Sequence, residues 1–261
     1  MTPVAAPQSV ALYDALAPLY DAWQSAGGAA PFSELVFAKL APALQRWGRA
    51  AVGGLPGIPG VTSFADLGCG TGELLLSLRA LHPTWRLTGV DASAQMLAVA
   101  RRKQAPAASD IAWVQAELTA TLPPPPLDAV GAFYDTINHL PDADALERML
   151  TACAEALRPG GLLIFDVTNA IGFSTWWRGR NHWKAAGWQI SVETRFQADR
   201  GEGHADVTIE RDGNTPVSAH LIERCFPDRD IRHALSRAGF IVEVQEPWSP
   251  FQIDAPGKTW W

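Results

Sequence analysis

The sequence predicts an α/β protein built on a doubly wound, mostly parallel sheet. Between residues 61 and 167, short apolar runs of strand length alternate with segments whose apolar residues recur at helical spacing. A glycine-rich turn, Asp66-Leu67-Gly68-Cys69-Gly70-Thr71-Gly72, joins the first apolar run to the first helical segment. Because crossovers between parallel strands are right-handed, successive runs of this kind are expected to enter one sheet.

Composition limits the classes of protein to consider. The chain has 261 residues, of which 48% are hydrophobic and 18% charged, and its formal net charge is −6. Its basic runs do not exceed Arg101-Arg102-Lys103, so a nucleic-acid partner is not expected. The three cysteines, at 69, 153 and 225, are scattered, and the histidines lack metal-ligand spacing, so we predict neither disulfides nor a metal site. A secretion signal and a 20-residue apolar span are also absent from the sequence, which favours a cytoplasmic protein without a membrane partner.

The first 60 residues are predicted to form helices followed by a loop. Apolar residues recur at helical spacing over 9–25 and 32–47, which predicts two helices before the sheet. Residues 53–60 are mostly glycine and proline, and we interpret them as a loop.

Residues 61–169 carry the pattern of the parallel sheet. Ser93 precedes a helical segment and could cap it through its hydroxyl. Four prolines at 123–126 predict an extended connection, because proline cannot continue a helix. The predicted strands cover 62–67, 85–90, 111–115, 128–133 and 162–167, and the predicted helices cover 72–81, 93–103 and 142–157.

The pattern changes after Asn169. Residues 170–227 contain three alternating runs separated by turns that contain glycine, which predicts an antiparallel β insertion. The remaining residues, 228–261, predict a helix at 228–238, a strand at 241–244 and a last strand that begins at Lys258. We expect these last strands to complete the core sheet and to bring it to seven strands.

The glycine turn is the main indication of function. Glycine permits positive φ and close approach of a ligand to the backbone, and a helix that begins after such a turn attracts phosphate or nucleotide groups. Dinucleotide-binding turns read G-x-G-x-x-G, whereas here the third glycine comes one residue early. The resulting D-x-G-x-G-x-G resembles motif I of the class I methyltransferases, which bind S-adenosylmethionine (SAM). A tight strand-to-helix turn without a ligand is the alternative.

The resemblance covers residues 66–167 and the turn at 238–240, and it implies a Rossmann-like sheet with SAM as cofactor and S-adenosylhomocysteine as product. It further implies that Asp91, at the end of strand two, accepts the ribose hydroxyls, and that Glu117 stands where the family usually has an aspartate near the adenine. On this interpretation, residues 1–60 are a helical lid and linker, 61–169 the SAM-binding core, 170–227 a substrate-side insertion and 228–261 the end of the core sheet. The predicted cofactor-binding residues are Asp66, Gly68, Cys69, Gly70, Gly72, Asp91, Ala92, Met96, Ala116, Glu117, Leu118 and Phe133.

The acceptor side is predicted from the run Phe133-Tyr134-Asp135-Thr136-Ile137-Asn138-His139-Leu140, which follows strand four. This run resembles the corresponding loop of small-molecule N-methyltransferases. His139 is the candidate base, because histidine titrates near neutral pH, and it could instead pack or cap a helix. Tyr20 is the second catalytic candidate, because Leu19-Tyr20-Asp21 resembles the lid helix of that branch, and it could instead be a core residue. The predicted substrate-binding residues are Tyr134, Asp135, Asn138, Asn169 and Trp176.

These observations predict a SAM-dependent methyltransferase that acts on a small molecule, with an amine as the expected acceptor and direct in-line displacement as the mechanism. A small-molecule O-methyltransferase, a non-catalytic SAM-fold module and a nicotinamide-dependent dehydrogenase are the alternatives. The early third glycine and the Pro159-Gly160-Gly161 entry to strand five count against the dehydrogenase. We expect a monomer or homodimer.

Overall fold

A large sheet with helices on both faces and a second, smaller sheet organise the chain. The computed structural model describes residues 8–26, 32–54, 61–104, 111–120, 122, 126–211, 213–249 and 256–261. Its helices are α1 Gln8–Leu16, α2 Tyr20–Gln24, α3 Phe32–Gly54, α4 Glu73–Leu81, α5 Ala94–Lys103, α6 Ala143–Ala156, α7 Ala170–Trp176 and α8 Asp228–Arg237, with a 3-10 turn at Thr136–His139. Its strands are β1 Ser63–Leu67, β2 Arg86–Asp91, β3 Ala112–Gln115, β4 Leu127–Ala132, β5 Leu157–Thr168, β6 Gly179–Ala185, β7 Trp188–Gln197, β8 Glu202–Glu210, β9 Val217–Arg224, β10 Glu246–Trp248 and β11 Lys258–Trp260.

The large sheet has seven strands among the described residues, in the order β10-β11-β5-β4-β1-β2-β3. The pairs β1–β2, β2–β3, β1–β4 and β4–β5 are parallel, and β11 pairs antiparallel with β5 and β10. Two apolar clusters cover its two faces, one with α6 and α8 and the other with α3 and α4. The predicted fold class is therefore confirmed. The chain order reverses beside β1, so the carboxyl ends of β1, β2 and β4 open onto one crevice.

The predicted insertion contains an antiparallel sheet in the order β6-β7-β8-β9. Three of these strands match the alternating runs of the sequence, and β6 was not predicted, because its exposed residues lack a clear apolar alternation. Apolar side chains of β7, β8 and β9 pack on α1, so α1 lies between this sheet and α5 of the core. The insertion thus holds the first helix over the crevice.

The N-terminal helices differ from the prediction in their ends. The predicted helix over 9–25 is two helices, because the chain turns at residues 17–19, where Pro18 lacks the amide hydrogen that a continuous helix needs. The helix α3 continues to Gly54, so the predicted loop begins later than expected, and residues 55–60 lie outside the described residues. Residues 123–125 of the proline run also lie outside them.

The strand predicted over 241–244 is wrong. The helix α8 ends at Arg237, and residues 241–245 have no ladder pairing, with Ile241 exposed. Pairing begins only at Glu246, which faces Trp260 of β11. The apolar composition of 241–244 indicated a strand, but a neighbour to pair with is a property of the tertiary fold. Among the described helices, none is both long and apolar enough to cross a bilayer.

Candidate functional site

The glycine turn after β1 is held against β2 by its own backbone. The amides of Gly68 and Cys69 both donate to the carbonyl of Val90, at 2.8 and 3.1 Å. Gly68 has φ +69°, and a Cβ on it would lie 2.4 Å from Thr136 Oγ1. Gly70 has φ +53°, and a Cβ on it would meet nothing within 4 Å. The first glycine is therefore required for packing, whereas the second leaves open space beside bare backbone.

Asp91 closes the turn from the end of β2. Its Oδ2 accepts a hydrogen bond from the Gly70 amide at 2.8 Å, and its Oδ1 accepts one from the Ser93 amide at 2.8 Å. Burial raises the pKa of Asp91 above its usual range, although these two backbone bonds act in the opposite direction. A carboxylate has about four acceptor sites, so two remain for a ligand's hydroxyl groups. The predicted cap at Ser93 is confirmed, because its Oγ accepts from the Met96 amide.

Two cavities meet at this turn, and both are lined by Tyr20, Gly68, Gly70 and Tyr134. The smaller has a volume of about 250 Å³ and reaches Asp66, whose pKa is raised by burial and by the charge of Asp91. The larger has a volume of about 490 Å³. Its other lining residues are Ser9, Val10, Tyr13, Asp91, Ala92, Ser93, Met96, Glu117, Leu118, Thr119, Thr136, His139, Leu140, Pro141, Ala145 and Arg148.

The loop after β4 has a strained backbone. Tyr134 and Asp135 are two non-glycine residues with left-handed φ, of +69° and +64°. Each such residue costs about 1–3 kcal/mol and persists only where its surroundings hold it. The Tyr134 amide donates to Asp166 Oδ1 at 2.8 Å, and the Tyr134 hydroxyl donates to Gln24 Oε1 of α2. These contacts hold the strained backbone in place, and the Tyr134 side chain lines both cavities.

Lys258 supports this loop from beneath. It is 1% exposed, and its Nζ donates to Asp135 Oδ1, to Asp166 Oδ2 at 2.6 Å and to Thr168 Oγ1 at 3.4 Å. Burial lowers the pKa of Lys258, but the charges of Asp135 and Asp166 outweigh burial and raise it. Although burial acts to raise the pKa of Asp135, Lys258 lowers it below the usual range. The Lys258 ammonium thus lies between two carboxyl groups, and the cluster connects the last strand to β5 and the loop.

His139 ends the same loop and faces the first helix. Its Nε2 lies 3.0 Å from the hydroxyl oxygen of Tyr13, and the two rings meet edge to face with centroids 5.5 Å apart. Burial lowers the pKa of His139 to about 4, so the imidazole is neutral at neutral pH. A carboxylate oxygen of Glu223 on β9 lies 3.8 Å from the same Nε2. The elements α1, β9 and the β4 loop therefore meet at His139.

Comparison with known proteins assigns this arrangement to a family. Residues 64–161 match the model of the methyltransferase domain family. The chain carries a class I, Rossmann-like, SAM-dependent methyltransferase domain. The predicted family and cofactor class are thereby confirmed at the level of the domain.

Relatives of this methyltransferase domain extend the match in sequence and in fold. A Geobacillus protein assigned to the methyltransferases is 32% identical over 148 residues, which is 57% of this chain and 50% of the relative. The chain thus spans only about half the length of this curated relative. Other curated relatives are named for trans-aconitate, release-factor glutamine and ribosomal RNA methylation, so the family match leaves the acceptor open.

Solved structures share the fold over most of the chain. The CcbJ methyltransferase from Streptomyces caelestis is 17% identical, with a TM-score of 0.71 over 94% of both chains. The sugar N-methyltransferase KedS8 from Streptoalloteichus is 24% identical, with a TM-score of 0.63 over 86% of both chains. At these identities the likeness concerns the architecture of the methyltransferase, including its small antiparallel sheet.

Most of the predicted cofactor residues of the methyltransferase domain line one of the two cavities. Gly68 and Gly70 line both, and Gly72 and Ala116 line neither. Gly72 fits close to Trp113, where a Cβ would lie 2.5 Å from the ring, and the Ala116 amide donates to the Asp91 carbonyl. The larger cavity is lined by Asp91, Ala92, Met96, Glu117 and Leu118, and the smaller one is lined by Asp66, Cys69 and Phe133.

Some of the predicted catalytic and substrate residues line a cavity and others do not. His139 lines the larger cavity, and Tyr20 and Tyr134 line both. Burial raises the pKa of Tyr20, so its phenol stays neutral. Asp135 lines neither cavity and instead accepts from Lys258.

Three other predicted substrate residues bond or pack within the fold and line neither cavity. Asn138 is fully buried, and its amide group bonds the backbone of Thr168 and Arg224. Asn169 caps α7 by accepting from the Ile171 and Gly172 amides, and its amide group donates to the Pro256 carbonyl. Trp176 packs on Gly257, where a Cβ would lie 2.3 Å from its ring, and it lines neither cavity.

Among the residues of the site that the sequence analysis did not predict are Tyr13, Thr136, Glu223 and Lys258. Tyr13 lies within the apolar pattern that predicts the first helix over 9–25, and this pattern does not distinguish a site residue from a packing residue. Lys258 was considered only as the start of a strand. A signal was present for Glu223, because a glutamate occupies a position where the alternation of β9 predicts an apolar side chain.

Proposed function

We propose that the protein transfers a methyl group from SAM to a nitrogen of a small-molecule amine. The observation that carries the proposal is the larger cavity, which brings Asp91 and Glu117 into one space with His139. Its volume of about 490 Å³ lies within the range of small-molecule sites, about 300–1,000 Å³. A neutral histidine in a covered space of this size suits proton removal from a small acceptor.

The residues present fit the cofactor. Asp91 has free acceptor sites for the ribose hydroxyls, and the open face at Gly70 gives the backbone access that the cofactor requires. Met96, Ala92 and Leu118 form an apolar surface for the adenine, with Glu117 at its edge. The carboxyl group of Asp66 lines the smaller cavity, where it would receive the amino-acid end of the cofactor. SAM supplies the methyl group as an electrophilic sulfonium, so the protein has mainly to align the acceptor.

An amine is favoured by the charges around His139. The ionised carboxylate of Asp135 interacts with a neutral imidazole, which suits an acceptor that arrives as an ammonium ion. We infer that α1 and α2 form the lid of the site, because Tyr13 and Tyr20 line the larger cavity and Asp21 of α2 accepts from Lys103 of α5 at 2.7 Å. The structural likeness to a sugar N-methyltransferase supports the same acceptor class.

A methyl-transfer screen tests the proposal. The purified protein is incubated with methyl-labelled SAM and panels of alkylamines, amino sugars and phenols, and products are identified by mass spectrometry. We expect N-methyl products from at least one amine. Methylation of phenols alone would replace the proposal with O-methylation, and methylation only of RNA or protein would refute the small-molecule acceptor. NADH binding without SAM binding by calorimetry would refute the methyltransferase itself, and SAM binding without any product would indicate a binding module.

A further inference from the structure

Glu223 occupies a position that the fold does not explain. It lies on the face of β9 that also carries Ala219 and Leu221, both packed in the apolar cluster under α1. Its partner across the ladder is Gly203, so no side chain stands opposite it. Glu223 is only 5% exposed. Burial of a carboxyl group costs several kcal/mol unless its oxygens are bonded.

The surroundings of Glu223 leave hydrogen-bonding capacity unused. Its Oε1 lies 3.8 Å from His139 Nε2, which also contacts the Tyr13 hydroxyl at 3.0 Å. Glu223 Oε2 and His139 Nδ1 are both buried and have no hydrogen-bond partner among the described residues. The two side chains that carry these unbonded atoms are therefore neighbours beside the larger cavity, which His139 lines.

We propose that Glu223 is a positioning residue that acts through His139: its carboxyl group shares the proton that His139 takes from the acceptor nitrogen, so that the two side chains work as one base. The inference rests on the proposed function, because only an acceptor that arrives protonated requires a base. The gap of 3.8 Å is long for a hydrogen bond, but catalytic contacts commonly shorten in the loaded enzyme.

The step balances in protons and electrons. The acceptor ammonium gives one proton to His139, and the imidazolium so formed shares it with the Glu223 carboxylate. The lone pair left on the nitrogen then forms the nitrogen–carbon bond while the carbon–sulfur bond breaks, and its electron pair stays on sulfur. The products are a methylated ammonium and a neutral thioether, and the shared proton leaves the pair before the next turnover.

Other titratable groups surround Glu223 and His139 and affect the pKa values of both. Tyr13 and Tyr20 from the lid helices, Asp135 from the loop and Lys258 from the last strand all interact electrostatically with one or both partners. Burial raises the pKa of Glu223, and Asp135 raises it further, whereas Lys258 lowers it. Burial lowers the pKa of His139 to about 4, which alone is too low for an efficient base at neutral pH. Two titratable groups that interact strongly bind a proton as a pair, and the proposed contact at 3.8 Å would couple His139 and Glu223 in this way.

Nuclear magnetic resonance of histidine nitrogens tests the shared proton without an acceptor. The protein is labelled with ¹⁵N-histidine, the His139 signals are assigned with His139→Asn, and spectra are recorded from about pH 5 to about pH 9 with and without S-adenosylhomocysteine. The pKa of about 4 reflects the burial of His139, opposed by Asp135, and does not include a proton shared with Glu223. If the proton is shared, the His139 nitrogens of the unmodified protein should titrate in this range. In Glu223→Gln they should keep the shifts of a neutral imidazole throughout. Identical titrations in the two proteins would overturn the proposal.

Kinetics with an amine from the screen test the consequence for turnover. Glu223→Gln should lower kcat at neutral pH by about tenfold or more, and the deficit should shrink as pH rises and the amine loses its proton to solvent. SAM affinity should stay within about twofold, and Glu223→Asp should recover part of kcat. The proposal fails if kcat of Glu223→Gln is unchanged at every pH, or if SAM affinity falls as much as kcat in both variants.

Glu202→Gln is the matched control. Glu202 is also a buried glutamate of the small sheet beside a histidine, His204, and it does not contact His139. This variant should leave the His139 titration as it is, and a changed titration would assign the Glu223 effect to the sheet as a whole. If Glu223→Gln does not fold, Glu223→Asp is used in its place. Its shorter side chain moves the carboxylate away from His139, which must still alter the His139 titration. Failure of the screen would refute the proposed function and leave the resonance result standing on its own.

Discussion

The two ends of the site are built in opposite ways. At the cofactor end, Gly70 and Asp91 are joined by a hydrogen bond between residues 21 apart in the chain, on consecutive strand–helix units. At the acceptor end, Tyr13 meets His139 across 126 residues, and Lys258 meets Asp135 across 123. The cofactor end uses backbone amides that any sequence with the right turn supplies, whereas the acceptor end uses buried side chains from four separate segments. A local motif can therefore define the first but not the second.

The largest loss of stability is predicted for a substitution of Lys258, at the acceptor end of the site. Lys258→Met leaves Asp135 and Asp166 buried without their cation, and breaking a buried ion pair in this way costs about 3–5 kcal/mol. Equilibrium unfolding in urea measures the loss. The control is Lys39→Met, whose partner Glu246 is half exposed, and it should cost about 1 kcal/mol or less. Equal losses in the two variants would show that the acceptor end does not depend on this cluster.

Asp91→Ala should weaken SAM binding about a hundredfold. The substitution removes the acceptors that we propose for the ribose hydroxyls and also frees the Gly70 and Ser93 amides. Hydrogen bonds to a charged group contribute about 1.5–3 kcal/mol each. Calorimetry with SAM measures the change in affinity. Asp91→Asn keeps one acceptor oxygen, so its SAM affinity should lie between those of the unmodified protein and Asp91→Ala. Unchanged affinity in Asp91→Ala would place the cofactor elsewhere.

His139→Ala should separate the two ends. We expect kcat to fall by about tenfold to a hundredfold, because the base for an amine acceptor is removed, while SAM affinity changes by about threefold or less. Steady-state kinetics with an amine from the screen and calorimetry with SAM are compared on the same preparation. If kcat is unchanged at all pH values, His139 has no part in the mechanism and Tyr13 only packs against it.

The same contrast explains what could be predicted from the sequence. The apolar periods and the glycine turn predicted the sheet, the position of Asp91 at the end of strand two and the Ser93 cap. These features depend on residues that are close in the chain. The periods also placed Tyr13 in the first helix, but they report which face of a helix is buried and not what it meets. Asn138 and Asn169 show the same limit. Both follow strand ends in the sequence, but their amide groups bond the backbone of Arg224 on β9 and of Pro256, just before the last strand.

The smallest effect is expected at Glu117, where this chain departs from the aspartate that is usual in the family. Glu117 is exposed on the loop after β3 and lines the rim of the larger cavity. Glu117→Asp shortens the side chain by one methylene without moving the backbone that holds the cofactor, so SAM affinity should change by about threefold or less, since an exposed hydrogen bond contributes about 1 kcal/mol or less. Calorimetry with SAM on Glu117→Asp and Glu117→Ala tests whether the Glu117 side chain contributes to SAM affinity at the cofactor end. A change above about tenfold in either variant would mean that side chains, and not only the backbone of the glycine turn and Asp91, determine how the cofactor is held.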